Sequence, residues 1–129
     1  MTGTYSGVGD SGTFTLTYDA TYERGSSLSL VSGNWSNSDP SGYSHYVTVS
    51  TNGTFTGYNS SGCTFSGTVK IIDSAYDAYH LDNVLIGSCG AFNGTYTGLG
   101  VLWDYSTTND TFTFGMSNNY ASMVLTFRR

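Results

Sequence analysis

The chain is short of charge, and each shortage closes off a class of function. Of its 129 residues only 10% are charged, against roughly 25% in an ordinary globular protein. The cations are Arg24, Lys70, Arg128 and Arg129 alone, and the net charge is -5. A phosphate backbone needs several Lys or Arg on one face, so nucleic acid is excluded as a partner. Glutamate occurs once, as Glu23, which leaves a paired-carboxylate glycosidase poorly supplied. The many serines include no Gly-x-Ser-x-Gly elbow, and His45 and His80 sit in strand-like stretches with no nucleophile motif beside them. These gaps point away from an enzyme, and no cofactor is expected. Proline occurs once, at Pro40, and no apolar run is long enough for a transmembrane helix. The first residues also lack the basic-then-apolar layout of a signal peptide, so an exported protein would begin here after its signal.

What the chain has in quantity is hydroxyl, glycine and aromatic side chains. Eleven Tyr, seven Phe and two Trp bring the aromatic fraction to 16%, enough apolar area to order a chain that its low charge and 17 glycines would otherwise leave loose. The length suits one domain, residues 1–129, closed around one core.

A repeated pattern organises the middle of the chain. It reads Gly53-Thr54-Phe55-Thr56-Gly57, Cys63-Thr64-Phe65-Ser66-Gly67 and Gly94-Thr95-Tyr96-Thr97-Gly98, with a further copy, Gly3-Thr4-Tyr5-Ser6-Gly7, at the start. Thr and aromatic residues suit a pleated, half-buried surface, and flanking glycines relieve crowding where strands twist or bulge. Period-two alternation recurs elsewhere. Phe14, Leu16 and Tyr18 oppose three threonines, Leu28 and Leu30 share one side of a strand expected over Ser27 to Trp35, and Tyr79, Leu81 and Leu85 share one side of a later one. Asn52-Gly53 marks a tight hairpin, and Asn37 to Gly42, which contains Pro40, marks a loop. No segment has helical period. The pattern predicts an all-β domain, an antiparallel up-and-down β-barrel of about eight strands, with a two-sheet β-sandwich as the alternative.

Cys63 and Cys89 each fall in a predicted strand, and a segment running out and back sets them side by side. A disulfide is the preferred reading over two buried thiols, and suits an extracytoplasmic protein. Asp73, Asp77, His80 and Asp82 form the densest polar cluster, with donors suited to Ca²⁺ or a transition metal. Turn formation by the first two and a polar strand face for the others explain them better, so no metal site is expected.

The stronger functional signal is aromatic. Trp35, Tyr43, Tyr46, Tyr58, Tyr96, Trp103 and Tyr105 are the candidates to line a barrel mouth and stack on a small apolar or sugar-like ligand, set against an ordinary place in the core or on the strand surface.

The stretches Gly62 to Thr68, Ser88-Cys89-Gly90 and Asn93 to Leu99 resemble a pattern in small Gly/Thr-rich exported proteins and lipoproteins of Gram-negative bacteria. The resemblance implies an extracytoplasmic location, periplasmic, anchored to the outer membrane or secreted; in a lipoprotein the lipid-bearing cysteine would lie ahead of Met1. It brings no catalytic residue. Eight strands in this length also look like the avidin and lipocalin architecture, without the aromatic ligand motifs of avidins. The first expected function is a non-catalytic binding protein holding a small ligand at the barrel mouth. The second is a protein-interaction module, an envelope lipoprotein, inhibitor or immunity-type protein, with a filled barrel.

Overall fold

The computed structural model describes residues 2–7, 9–17 and 20–129. The chain opens with a hairpin of β1 (Thr2–Gly7) and β2 (Asp10–Thr15), which form a two-stranded sheet of their own. The alternation expected to run from Thr13 to Asp19 ends as a strand at Thr15, Leu16 is exposed, and Tyr18 and Asp19 lie outside the described residues. A single helical turn, α1 (Leu28–Val31), then leads into eight barrel strands. These are β3 (Gly33–Ser38), β4 (Ser44–Val49), β5 (Thr54–Asn59), β6 (Thr64–Ile71), β7 (Tyr79–Gly87), β8 (Gly94–Trp103), β9 (Thr111–Ser117) and β10 (Ser122–Arg128). Each pairs antiparallel with the next and β10 closes on β3, giving the closed up-and-down barrel that the alternation predicts. The closure is thin. β10 meets β3 at one ladder pair, Arg128 with Ser36, and the Asn37 amide beside it donates to the Thr126 carbonyl across the seam.

Inward positions are apolar and outward ones mostly hydroxylic. On β4 the inward phase is His45, Val47 and Val49, and on β9 it is Phe112, Phe114 and Met116. Phe112 packs its ring against Trp35, Tyr79 and Phe114 at centroid distances of 5.5–5.9 Å. Apolar inside and Thr-rich outside is the reverse of a lipid-spanning barrel, whose apolar band faces out. Among the described residues no helix is long and apolar enough to cross a membrane.

The repeat owes its form to this packing. Its aromatics, Phe55, Phe65 and Tyr96, all point inward. Its second glycine sits where a side chain has no room. A Cβ on Gly98 would lie 2.2 Å from the Gly115 carbonyl oxygen, and one on Gly67 would lie 2.8 Å from the Phe55 ring.

Two expected strand faces differ. The apolar run Leu28 to Val31 folds as α1 rather than as a strand, because it plugs the barrel end: Val31 is fully buried and the Trp35 indole donates to its carbonyl at 2.8 Å. On β7 a bulge between Leu81 and Val84, with Asn83 at φ 49°, shifts the phase, so Val84 and Ile86 point inward and Leu85 is exposed. One inserted residue inverts the side of everything after it.

Candidate functional site

The two ends of the barrel differ in kind. The end carrying α1, residues 50–53, 72–78 and 104–110 is closed. Tyr79, fully buried in its throat, uses its hydroxyl to accept from Ser27 N and donate to Ser27 O at 3.2 and 3.3 Å. Burial pushes this phenol above its ordinary range. The Asp110 carboxylate accepts from the backbone N–H groups of Tyr105, Ser106 and Thr107 at 2.7–2.8 Å and from the Thr111 hydroxyl at 3.0 Å. Those bonds, led by that from Tyr105, hold it well below the usual carboxylate range. Arg24 closes over this end in a bidentate pair with Asp104, at 2.7 and 2.9 Å.

Asp77 belongs to the same end and sequence reasoning placed it in a turn. Its side chain is buried, one oxygen accepts from Leu102 N at 3.1 Å, and the other has no partner. Burial raises its pKa. The other members of its cluster disperse: Asp73 caps Ala75 N, Asp82 pairs with Lys70, and His80 lies on the outer wall. No group of three or more metal-ligating side chains forms among the described residues.

The opposite end is a mouth. Residues 39–43, 60–63 and 88–93 rim a cavity of about 490 Å³ whose wall is mainly apolar, with Phe65, Ile86, Phe92, Met123 and Leu125 in it. Below it the interior is filled, leaving an apolar void of about 30 Å³ among Val, Leu, Phe, Met and Trp side chains. The mouth is thus a cup with a floor. The Cys63–Cys89 disulfide forms part of its rim, joining the chain before β6 to the chain after β7 with Cα atoms 4.7 Å apart. Two asparagines hold its flanks: Asn59 accepts from Cys63 N at 2.9 Å and Asn93 from Cys89 N at 2.6 Å.

One side chain in the cup is out of keeping with its surroundings. His45 is 8% exposed, lies near the rings of Phe65 and Phe127 at 6.1 and 6.4 Å, and its Nδ1 is buried without a hydrogen bond. Its ladder neighbours are Asn37 on β3 and Asn59 on β5, so three adjacent strands each end their inward phase in a polar residue at the mouth. The Asn37 carbonyl oxygen is also buried and unpartnered. An unmatched buried polar atom costs about 1–3 kcal/mol, a cost that Asn37 and His45 bear and the partnered Asn59 does not. Sequence reading takes His45 as an exposed or hydrogen-bonded strand residue. The signal it passed over is the phase: His45 shares the inward parity of Val47 and Val49.

The seven candidate aromatics do not converge on one site, although Trp35, Tyr46 and Tyr58 border one outer groove. Tyr43 alone lines the cup. Trp35 and Tyr96 are core residues, because they stand in the inward phase of β3 and β8, and the Tyr96 hydroxyl donates to the Phe92 carbonyl at 2.9 Å. Tyr46 and Tyr58 face outward as a cross-strand pair with centroids 5.3 Å apart. Trp103 and Tyr105 lie on the outside near the closed end, where Trp103 donates to the Thr113 hydroxyl and the Arg128 guanidinium stacks 3.6 Å from the Tyr105 ring centre. Compared with protein-family models, curated proteins and solved structures, the chain matches none.

Proposed function

We propose that this barrel is a non-catalytic, extracytoplasmic binding protein that takes a small, largely apolar ligand into the cup at its mouth. The observation that carries the reading is a mainly apolar cavity of about 490 Å³ with His45, a polar residue of the inward phase whose Nδ1 is buried and unpartnered, in its wall. A cavity of that size suits a small molecule, and apolar walls with a few polar groups are how such sites bind and orient their ligands. The disulfide supports the oxidising location and stiffens the rim. The residues on which the reading rests are Tyr43, His45, Phe65, Phe92 and Met123.

The test is titration with N-phenyl-1-naphthylamine, whose fluorescence rises in apolar sites, against the protein and its Met123→Trp variant, which fills the cup. The reading expects saturable binding at one site per chain, lost in the variant. Binding unaffected by Met123→Trp contradicts it.

A second reading, a protein-interaction module, is favoured by the filled interior and by the exposed Tyr46–Tyr58 pair, since rigid tyrosines are common in recognition surfaces. Tyr46→Ala with Tyr58→Ala would abolish partner capture under that reading and leave probe binding at the cup unchanged.

A further inference from the structure

The charges are divided between the two ends of the barrel. All four cations are engaged away from the mouth: Arg24 with Asp104, Lys70 with Asp82, Arg128 over Tyr105, and Arg129 with the carbonyls of Asn109 and Ser32 and over the Trp35 ring. Among the described residues lining the cup, the single carboxylate is Asp39, and no Lys or Arg accompanies it. Asp39 is held in place. Its backbone N–H donates to the Tyr43 carbonyl at 2.9 Å, and one of its carboxylate oxygens accepts from Tyr43 N at 3.1 Å. That leaves its second oxygen for another donor. The cup therefore presents a fixed carboxylate at the rim and the edge of the His45 imidazole in its wall, above an apolar floor.

We infer that the cup selects ligands whose apolar body carries a cationic, hydrogen-bond-donating head, an aliphatic or aromatic amine, over the matching carboxylic acid. The inference deepens the cup-binding reading and rests on it. An ammonium head donates to the open oxygen of Asp39 in a charge-assisted hydrogen bond, while its hydrocarbon part meets Phe65, Ile86, Phe92 and Leu125. A carboxylate of the same shape meets Asp39 as a like charge and finds no cation to offset its loss of water. The floor decides the shape. With a void of only about 30 Å³ below, a compact ring fits the cup and a long chain has nowhere to run.

The test uses cyclohexylmethylamine, cyclohexylmethanol and cyclohexanecarboxylate, which share a carbon skeleton and differ in the head. Each is titrated at neutral pH into the full chain while amide resonances of residues 39–45, 61–65 and 86–92 are followed by NMR. The amine is expected to bind roughly tenfold or more tighter than the acid, with the alcohol between them. In Asp39→Asn, which keeps an acceptor oxygen for Tyr43 N, the preference for amine over acid should fall to within about twofold while alcohol binding stays as it was. Equal or tighter binding of the acid, or an amine preference that survives Asp39→Asn, overturns the inference and leaves the cup a binding site. Failure of all three to shift the mouth resonances at millimolar concentration overturns the cup-binding reading and this inference together.

Discussion

The two ends of this barrel are built from the same strands and hold their polar groups in opposite ways. At the closed end nearly every buried polar group has a partner: Asp110 collects four donors, Tyr79 both donates and accepts, and the Trp35 indole caps the helical turn. Among the described residues the exception there is one oxygen of Asp77. At the mouth, two polar atoms on neighbouring strands, the Asn37 oxygen and the His45 nitrogen, are buried unmatched beside an apolar cavity. One end is organised to keep the barrel shut. The other carries a local cost, which under the proposed function is the cost of a binding site.

The contrast is broken most severely by taking away the plug. Trp35→Ala removes a buried ring and its bond to Val31, and should destabilise by about 3–5 kcal/mol, read as a fall in the urea midpoint. Replacing both cysteines, Cys63→Ser with Cys89→Ser, opens a loop with a sequence separation of 26 and should cost about 3 kcal/mol in the chain-entropy model. Because the bond lies on the rim, this variant should lose probe affinity at temperatures where it is still folded; unchanged affinity would remove the disulfide from the site.

Smaller effects sharpen the comparison through pH. Asp110 titrates lower in the folded protein than in the unfolded chain, so its stabilisation is present above about pH 4 and lost as pH falls toward its folded value. Asp110→Ala should lower Tm by several degrees at pH 7 and by much less in strong acid. Asp77 has the opposite sign. Its pKa is raised by burial, so its cost is absent below the ordinary value of 3.8 and grows as pH rises through the folded value. Asp77→Asn keeps an oxygen for Leu102 N and should raise Tm slightly at neutral pH, with the gain vanishing near pH 3. A constant difference across that range would mean that the Asp77 charge is matched by a group other than Leu102.

The barrel was legible in the sequence because period-two alternation and the Gly-Thr-aromatic repeat are local signals, and closure follows once sequential hairpins must hide their edges. The disulfide was legible for the same reason, since an out-and-back strand pair brings Cys63 and Cys89 together. The plug was not. Leu28 to Val31 reads as strand by composition, and only the open end of a finished barrel turns it into a helical cap. The bulge at Asn83 hid the true phase of β7, which is why Leu85 was placed on the wrong side. The cup was half legible. Aromatic residues were the expected markers, yet the repeat itself assigns Tyr96 to the core as the counterpart of Phe55 and Phe65, and parity assigns Tyr46 and Tyr58 to the outside. What marks the proposed site is a polar residue in an apolar phase, a signal that shows only when strands are laid side by side.

The most direct measurement is the urea unfolding of His45→Leu beside the parent protein, with probe binding followed on the same samples. If His45 is retained for binding, removing its unmatched nitrogen should stabilise the fold by about 1 kcal/mol and weaken binding at the cup. A variant that loses stability as a core residue would, or that binds the probe as before, contradicts the division between a closed end that holds the barrel and a mouth that serves the ligand.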